Sequence, residues 1–140
     1  MASPLRVALI GTGFMGRAHS QAWRTAAPFF DLPLTPVMAT VVARDPQRTE
    51  EFARTWGWEN WSTNWREVVE SDDIDAVDIV APGDVHADIA EAALAAGKHV
   101  LCEKPLASSL HDATRMAAAA RAGRRLRVQL SPHPRARRRP

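Results

Sequence analysis

The chain has 140 residues, 46% of them apolar and 24% charged, with 7 Gly, 10 Pro, 1 Cys and a formal net charge of +2. That is one domain's length with ample apolar content, which excludes wholesale disorder, two full cores and a disulfide framework; no run approaches the ~20 apolar residues of a membrane span. The charge is divided: residues 121–140 carry eight Arg and no acid, leaving a net of −6 over residues 1–120, so the domain lacks the basic surface that nucleic acid requires.

Short apolar runs alternate with helical patterns. Residues 5–10 read as a buried strand, closed by Gly11-Thr12-Gly13. Residues 15–26 have helical character and end before Pro28. A turn-rich connection over 28–36 leads into a β-branched strand over 37–42. Asp45-Pro46 begins a helix, with Asp as N-cap and Pro in the first position, and residues 47–56 carry it to a stop at Gly57. A short strand within 58–62 and a helix over Trp65–Glu70 follow. Residues 75–81 form the next strand, closed by Pro82-Gly83, and 85–96 an Ala-rich helix ending at Gly97. Residues 99–103 form a strand stopped by Pro105, 109–122 a helix ending at Gly123, and 126–130 the start of a last strand.

Strands separated by helices imply right-handed βαβ crossovers, hence an α/β fold with a parallel sheet and helices on both faces. The expected organisation is a Rossmann domain over residues 1–123. Residues 124–140 then hold a partial last strand and an Arg/Pro-rich tail, expected to be disordered because 131–140 have no apolar residue but Ala136.

Gly11-Thr12-Gly13-Phe14-Met15-Gly16 is a G-x-G-x-x-G run that follows a strand and opens a helix. In that context Gly11 permits the tight turn, Gly13 lets a pyrophosphate approach the backbone, and Gly16 allows close helix–strand packing. Exposed N–H groups and the positive end of the helix then face the phosphates. A nucleoside-triphosphate loop is disfavoured, since Arg17-Ala18 stand where Lys and Ser/Thr are needed.

The tip of the second strand, Val42-Ala43-Arg44-Asp45, bears on the ribose. Ala43 occupies the place of the acid that binds ribose hydroxyls in NAD sites, and Arg44 could meet a 2′-phosphate, which leans to NADP over NAD. The competing reading makes Asp45 the ribose ligand, against its N-cap role.

Cys102-Glu103-Lys104-Pro105 lies at a strand's carboxyl end, the edge where open α/β sheets bind ligands. Lys104 there can orient a substrate hydroxyl and favour its deprotonation; the plainer reading is a surface lysine paired with Glu103. His86, after Pro82-Gly83-Asp84-Val85, either touches ligand or caps its helix, and capping is the simpler role. Cys102 reads as a buried small residue rather than a nucleophile, and Trp56, Trp58, Trp61 and Trp65 as packing. His19, His99 and His111 have no metal-ligand spacing. The absence of Tyr excludes a short-chain dehydrogenase, which needs a catalytic Tyr.

Three segments together, Gly11 to His19, Ala81 to His86, and Ala96-Gly97-Lys98-His99-Val100-Leu101-Cys102-Glu103-Lys104-Pro105-Leu106-Ala107, resemble the glucose–fructose oxidoreductase/myo-inositol dehydrogenase (Gfo/Idh/MocA) family. The likeness covers roughly residues 5–124. It implies an NAD(P)-binding Rossmann domain of an oxidoreductase that moves hydride between a nicotinamide cofactor and a sugar or polyol. It implies Lys104 as the catalytic lysine and Pro105 as a cis proline. The implied cofactor contacts are Gly11, Gly13, Phe14, Met15, Gly16, Ala43, Arg44, Pro82, His86, Glu103 and Lys104. Gly83 departs from the Asn of many relatives.

The family continues into a C-terminal α/β domain that supplies the substrate pocket and a proton-transferring Asp/His pair. This chain instead runs into its Arg/Pro tail, as a frameshift or premature stop in a GC-rich gene would produce. The expectation is therefore a cytoplasmic, catalytically incomplete enzyme that associates through surface the missing domain would cover. The alternative is a non-catalytic dinucleotide sensor or partner subunit.

Overall fold

The computed structural model describes residues 3–122 and 126–128. Six strands form one parallel sheet in the order β3-β2-β1-β4-β5-β6. They are β1 (Ser3–Ile10), β2 (Leu34–Val42), β3 (Asn60–Ser62), β4 (Ala76–Ile79), β5 (His99–Cys102) and β6 (Leu126–Val128). The helices are α1 (Phe14–Phe29), α2 (Pro46–Trp56), α3 (Trp65–Glu70), α4 (His86–Ala95) and α5 (Leu110–Arg121), with a 3-10 turn over Gly83–Val85. This is the doubly wound α/β arrangement expected, and its strand order reverses between β1 and β4.

Side-chain alternation sorts the core into two layers. Val7 and Leu9 of β1 pack with Val41, Ala53 and Trp58 under α1 and α2. Ala8 and Ile10 pack with Val77, Ile79, Val100, Cys102, Ile89 and Met116 on the side of α3, α4 and α5. The two-residue period of a strand produces this split, since successive side chains leave opposite faces. Leu9 and Ile79 are fully buried, each worth about 1.5–3 kcal/mol in removed apolar surface.

Local signals set the helix ends. Asp45 accepts the Arg48 N–H at 2.9 Å and Ser109 accepts the Asp112 N–H at 3.1 Å. Gly57 ends α2 in the left-handed region at φ 86°. The Lys98 ammonium donates to the carbonyl of Ser71, the C-cap of α3, at 2.7 Å.

Two boundaries differ from expectation, both at prolines. α1 does not end before Pro28 but runs to Phe29, because Pro28 sits in the last turn, where its missing N–H forfeits one terminal bond; the Phe30 N–H still reaches the Ala26 carbonyl at 3.0 Å. β2 begins at Leu34 rather than after Pro36, which pairs with Leu5. Proline is tolerated there because β3 reaches only Thr40 to Val42, leaving that stretch of β2 as a sheet edge. β2 also carries an extra residue, Ala39, since Val7 pairs with Met38 and Ala8 with Thr40. The expected stop at Gly123 and the tail over 129–140 lie outside the described residues.

Candidate dinucleotide site

β1 turns sharply at Gly11, whose φ of 117° favours glycine and whose N–H donates to the Val42 carbonyl at 2.9 Å. A Cβ at Gly11 would lie 2.8 Å from the Ala81 nitrogen, and one at Gly16 only 2.6 Å from the Gly11 carbonyl oxygen. Gly13, the N-cap of α1, has nothing within 4 Å of the place its Cβ would take. The first and third glycines are thus demanded by the protein's own backbone, whereas the second leaves open space in front of the helix. The first-turn N–H groups of α1 have no intrahelical partner and point toward that space. Phe14 and Met15 are the first two residues of α1. The Phe14 side chain is 73% exposed, and Met15 lines a separate groove with His19, Trp23, Phe29 and Phe30.

A cleft of about 410 Å³ opens beside this turn, at the point where the strand order reverses. Gly11, Thr12, Ala43, Arg44, Asp45, Arg48 and Pro82 line it, so three strand ends bring together the expected Gly11, Ala43, Arg44 and Pro82, whereas Gly13, Phe14, Met15, Gly16, His86, Glu103 and Lys104 are not among its lining residues. Asp45 is committed to α2 through the Arg48 N–H, while the Arg44 and Arg48 side chains border the same cleft. Arg48 is absent from the sequence-based set; its position one turn into the helix after the tip of β2 was the available signal.

Further along the rim, Lys104 is exposed and is joined to Pro105 by a cis peptide bond, as the family resemblance implies. Among the described residues Lys104 makes no ion pair; Glu103 does not hold its ammonium but accepts its backbone N–H at 3.0 Å on Oε2. Glu103 is buried, 5% exposed, and its other oxygen lies 2.9 Å from His19 Nε2. His19 Nδ1 meets Asp78 at 2.9 and 3.0 Å, and Asp78 also accepts the Trp23 indole N–H at 2.8 Å. Burial pulls the His19 pKa down, but the hydrogen bonds and charges of Asp78 and then Glu103 outweigh it, and the net shift is upward.

This buried His19–Asp78–Glu103 bridge was missed in the sequence. Its one signal was Asp78, a carboxylate between Val77 and Ile79 in a strand that must be buried on both faces.

His86 is 1% exposed and does not cap α4, which has no side-chain cap. Its Nε2 lies 2.6 Å from the Ala81 carbonyl, and its Nδ1 lies 3.1 Å from the carbonyls of both Pro105 and Leu106. The imidazole thereby ties the end of β4 to the loop after Lys104, from behind the rim. Cys102 is fully buried, and burial, with the Asp78 and Glu103 charges, pushes its thiol up to about 12, so it is no nucleophile. Trp58 is core and donates to Ser20 Oγ at 3.0 Å, whereas Trp61 is 40% exposed.

A family model described as "Oxidoreductase family, NAD-binding Rossmann fold" (GFO_IDH_MocA) matches residues 5–130. The chain belongs to the Gfo/Idh/MocA family. One Gfo/Idh/MocA relative, levoglucosan dehydrogenase of Pseudarthrobacter phenanthrenivorans, is 44% identical over 113 residues, 80% of this chain and 29% of its own length. The crystal structure of an oxidoreductase domain protein from Kribbella flavida matches with TM-score 0.85 and 50% identity, over 90% of this chain and 35% of that one. A levoglucosan dehydrogenase complex with NADH matches with TM-score 0.82 and 43% identity, over 84% and 32%. The chain therefore spans about a third of the length of the Gfo/Idh/MocA proteins it matches. Among the described residues, no helix is long and apolar enough to cross a membrane.

Proposed function

We propose that this chain is the nicotinamide-dinucleotide-binding part of an oxidoreductase acting on a sugar or polyol. The observation that carries the reading is the pairing of an open Gly13 with the free N-terminus of α1, beside the 410 Å³ cleft at the reversal of strand order. A pyrophosphate fits there because it needs close backbone approach, N–H donors and positive helix potential, and all three coincide. Arg44 and Arg48 at the cleft mouth favour a ribose 2′-phosphate, hence NADP(H), although a matched levoglucosan dehydrogenase holds NADH.

The nicotinamide, when bound, supplies the hydride acceptor or donor. Glu103 and Lys104 form its edge of the site, and Pro82 closes the cleft wall. Lys104, exposed and free of an ion pair among the described residues, would hold its ammonium toward the reacting oxygen and stabilise the negative charge developing there as the hydroxyl proton passes to water and hydride leaves carbon. His86 acts from behind, fixing the Pro105–Leu106 carbonyls. The free buried Cys102 suits a reducing, cytoplasmic setting.

Calorimetric titration with NAD(H) and NADP(H), joined to Lys104→Ala, tests this reading. Binding of either cofactor, weakened about tenfold in the variant, and loss of any turnover on a polyol panel, is the expected result. Folded protein that takes up neither cofactor at millimolar concentration overturns it. A Lys104→Ala variant with undiminished function favours a non-catalytic dinucleotide sensor.

A further inference from the structure

The His19 imidazole sits almost wholly inside the protein with a carboxylate on each nitrogen. Asp78 Oδ1 and Oδ2 lie 3.0 and 2.9 Å from Nδ1, and Glu103 Oε1 lies 2.9 Å from Nε2. All three side chains are buried, at 6%, 1% and 5% exposure. Two ionised carboxylates can accept from both ring nitrogens only if both carry hydrogen, so with both carboxylates ionised this arrangement is that of an imidazolium. The bridge spans three elements, with His19 on α1, Asp78 on β4 and Glu103 at the end of β5. Its last link leaves the core, since Glu103 Oε2 accepts the backbone N–H of Lys104 at 3.0 Å.

We propose that His19 is a positioning residue for Lys104: as a cation clamped between Asp78 and Glu103, it fixes the one carboxylate that anchors the Lys104 backbone at the rim. This rests on the reading of Lys104 as part of the nicotinamide site. Without the proton His19 can donate to only one carboxylate, because a neutral ring has a single N–H. The other carboxylate is then left beside an acceptor nitrogen in a buried setting, where an unmatched charge is costly and a side chain moves to avoid it. Asp78 keeps the Trp23 indole as a second donor, so Glu103 is the member that gives way. Among the described residues, Asp78 from β4 and Glu103 from the end of β5 are the charged groups within hydrogen-bond distance of the ring.

The test follows the imidazole ¹⁵N signals of His19 and the Lys104 amide signal of the full chain by NMR between pH 5.5 and 9.5, alongside NADH and NADPH titrations. The expected result is a doubly protonated His19 at neutral pH. A step in the Lys104 amide should coincide with deprotonation of His19, and cofactor affinity should fall about tenfold across the same step, the scale of one lost hydrogen bond. Asp78→Asn removes one of the two charges that favour the cation while leaving Glu103 and His19 in place. It should move both steps to lower pH, which a side chain that merely fills space would not do. His19→Gln should abolish them. If His19→Gln fails to fold, the wild-type and Asp78→Asn titrations decide alone.

A neutral His19 at pH 7, or a Lys104 amide blind to His19 deprotonation, overturns the proposal. So does an Asp78→Asn step at unchanged pH. Should the wild type bind neither cofactor while the amide still follows His19, the positioning role stands and the assignment of the site fails.

Discussion

Gly16 stands so close to Gly11 that a methyl group on Gly16 would lie 2.6 Å from the Gly11 carbonyl oxygen. The clash is with backbone that is itself held against Val80 and Ala81, so it cannot relax cheaply. Gly16→Ala is expected to cost about 1–3 kcal/mol of stability, as overpacking does. Gly13→Ala meets no protein atom and should cost at most about 1 kcal/mol, the scale of a changed N-cap. It should nonetheless weaken dinucleotide binding about tenfold, or about 1.4 kcal/mol. Urea denaturation and calorimetry on the two variants separate these effects; equal loss of stability in both would contradict the division of roles.

Arg44 and Arg48 share the mouth of the cleft with Asp45, whose carboxylate is engaged in capping α2. Arg44→Ala is expected to weaken NADPH binding by about 1.5–3 kcal/mol, the worth of a hydrogen bond to a charged group, with little change for NADH. The titrations need one fixed ionic strength, since exposed charges are screened by salt. A loss of NADH binding equal to that of NADPH would refute the role given to Arg44.

The raised pKa of His19 links folding to pH. Below about 6.5, the ordinary histidine value, folded and unfolded chains both hold the proton and the stabilisation is fully present. Between that value and the higher folded-state value, only the folded chain keeps it, so stability falls as pH rises. Above the folded-state value the contribution is lost. Urea unfolding in steps from pH 6 to 9 should show this decline, and His19→Gln should flatten it.

Phe29 and Phe30, 78% and 66% exposed, border a groove that continues over Trp23 and Leu101. A neighbouring groove runs on over Leu5, Leu34 and Ala76. His19 and Trp23 of α1 reach this side of β4 at Asp78, and the apolar residues around them line open grooves; contiguous apolar surface of this kind favours association. Sedimentation velocity is expected to show dimers or larger species that shift toward monomer in the Phe29→Ser/Phe30→Ser double variant. A concentration-independent monomer in the wild type would sink the expectation.

Much of the scaffold was legible because its signals are local. Asp45 and Pro46 announce α2, Gly57 ends it, and the division of β1 side chains between two core layers follows from side-chain geometry alone. The glycine turn was readable for the same reason, as was the placement of Ala43 and Arg44 one step beyond β2. The prolines misled where context outweighed preference: Pro28 lies in a final turn that loses little, and Pro36 on an open edge. Asp78 alone hinted at the His19 bridge, whose pairing could not be read because its partners lie 59 and 84 residues away along the chain. His86 was misread for the same cause, since its partners after Pro105 come near only when β4 and β5 pair.

The residues at the cleft mouth stand outboard of both apolar layers, and none of Ala43, Arg44 and Arg48 belongs to either cluster. If these residues meet the adenosine ribose as proposed, nucleotide preference is an exchangeable fitting on this scaffold. A lineage could trade one adenosine-side contact for another without renegotiating a single packing partner, while the glycines beneath, pinned by their own neighbours, have no such freedom to drift.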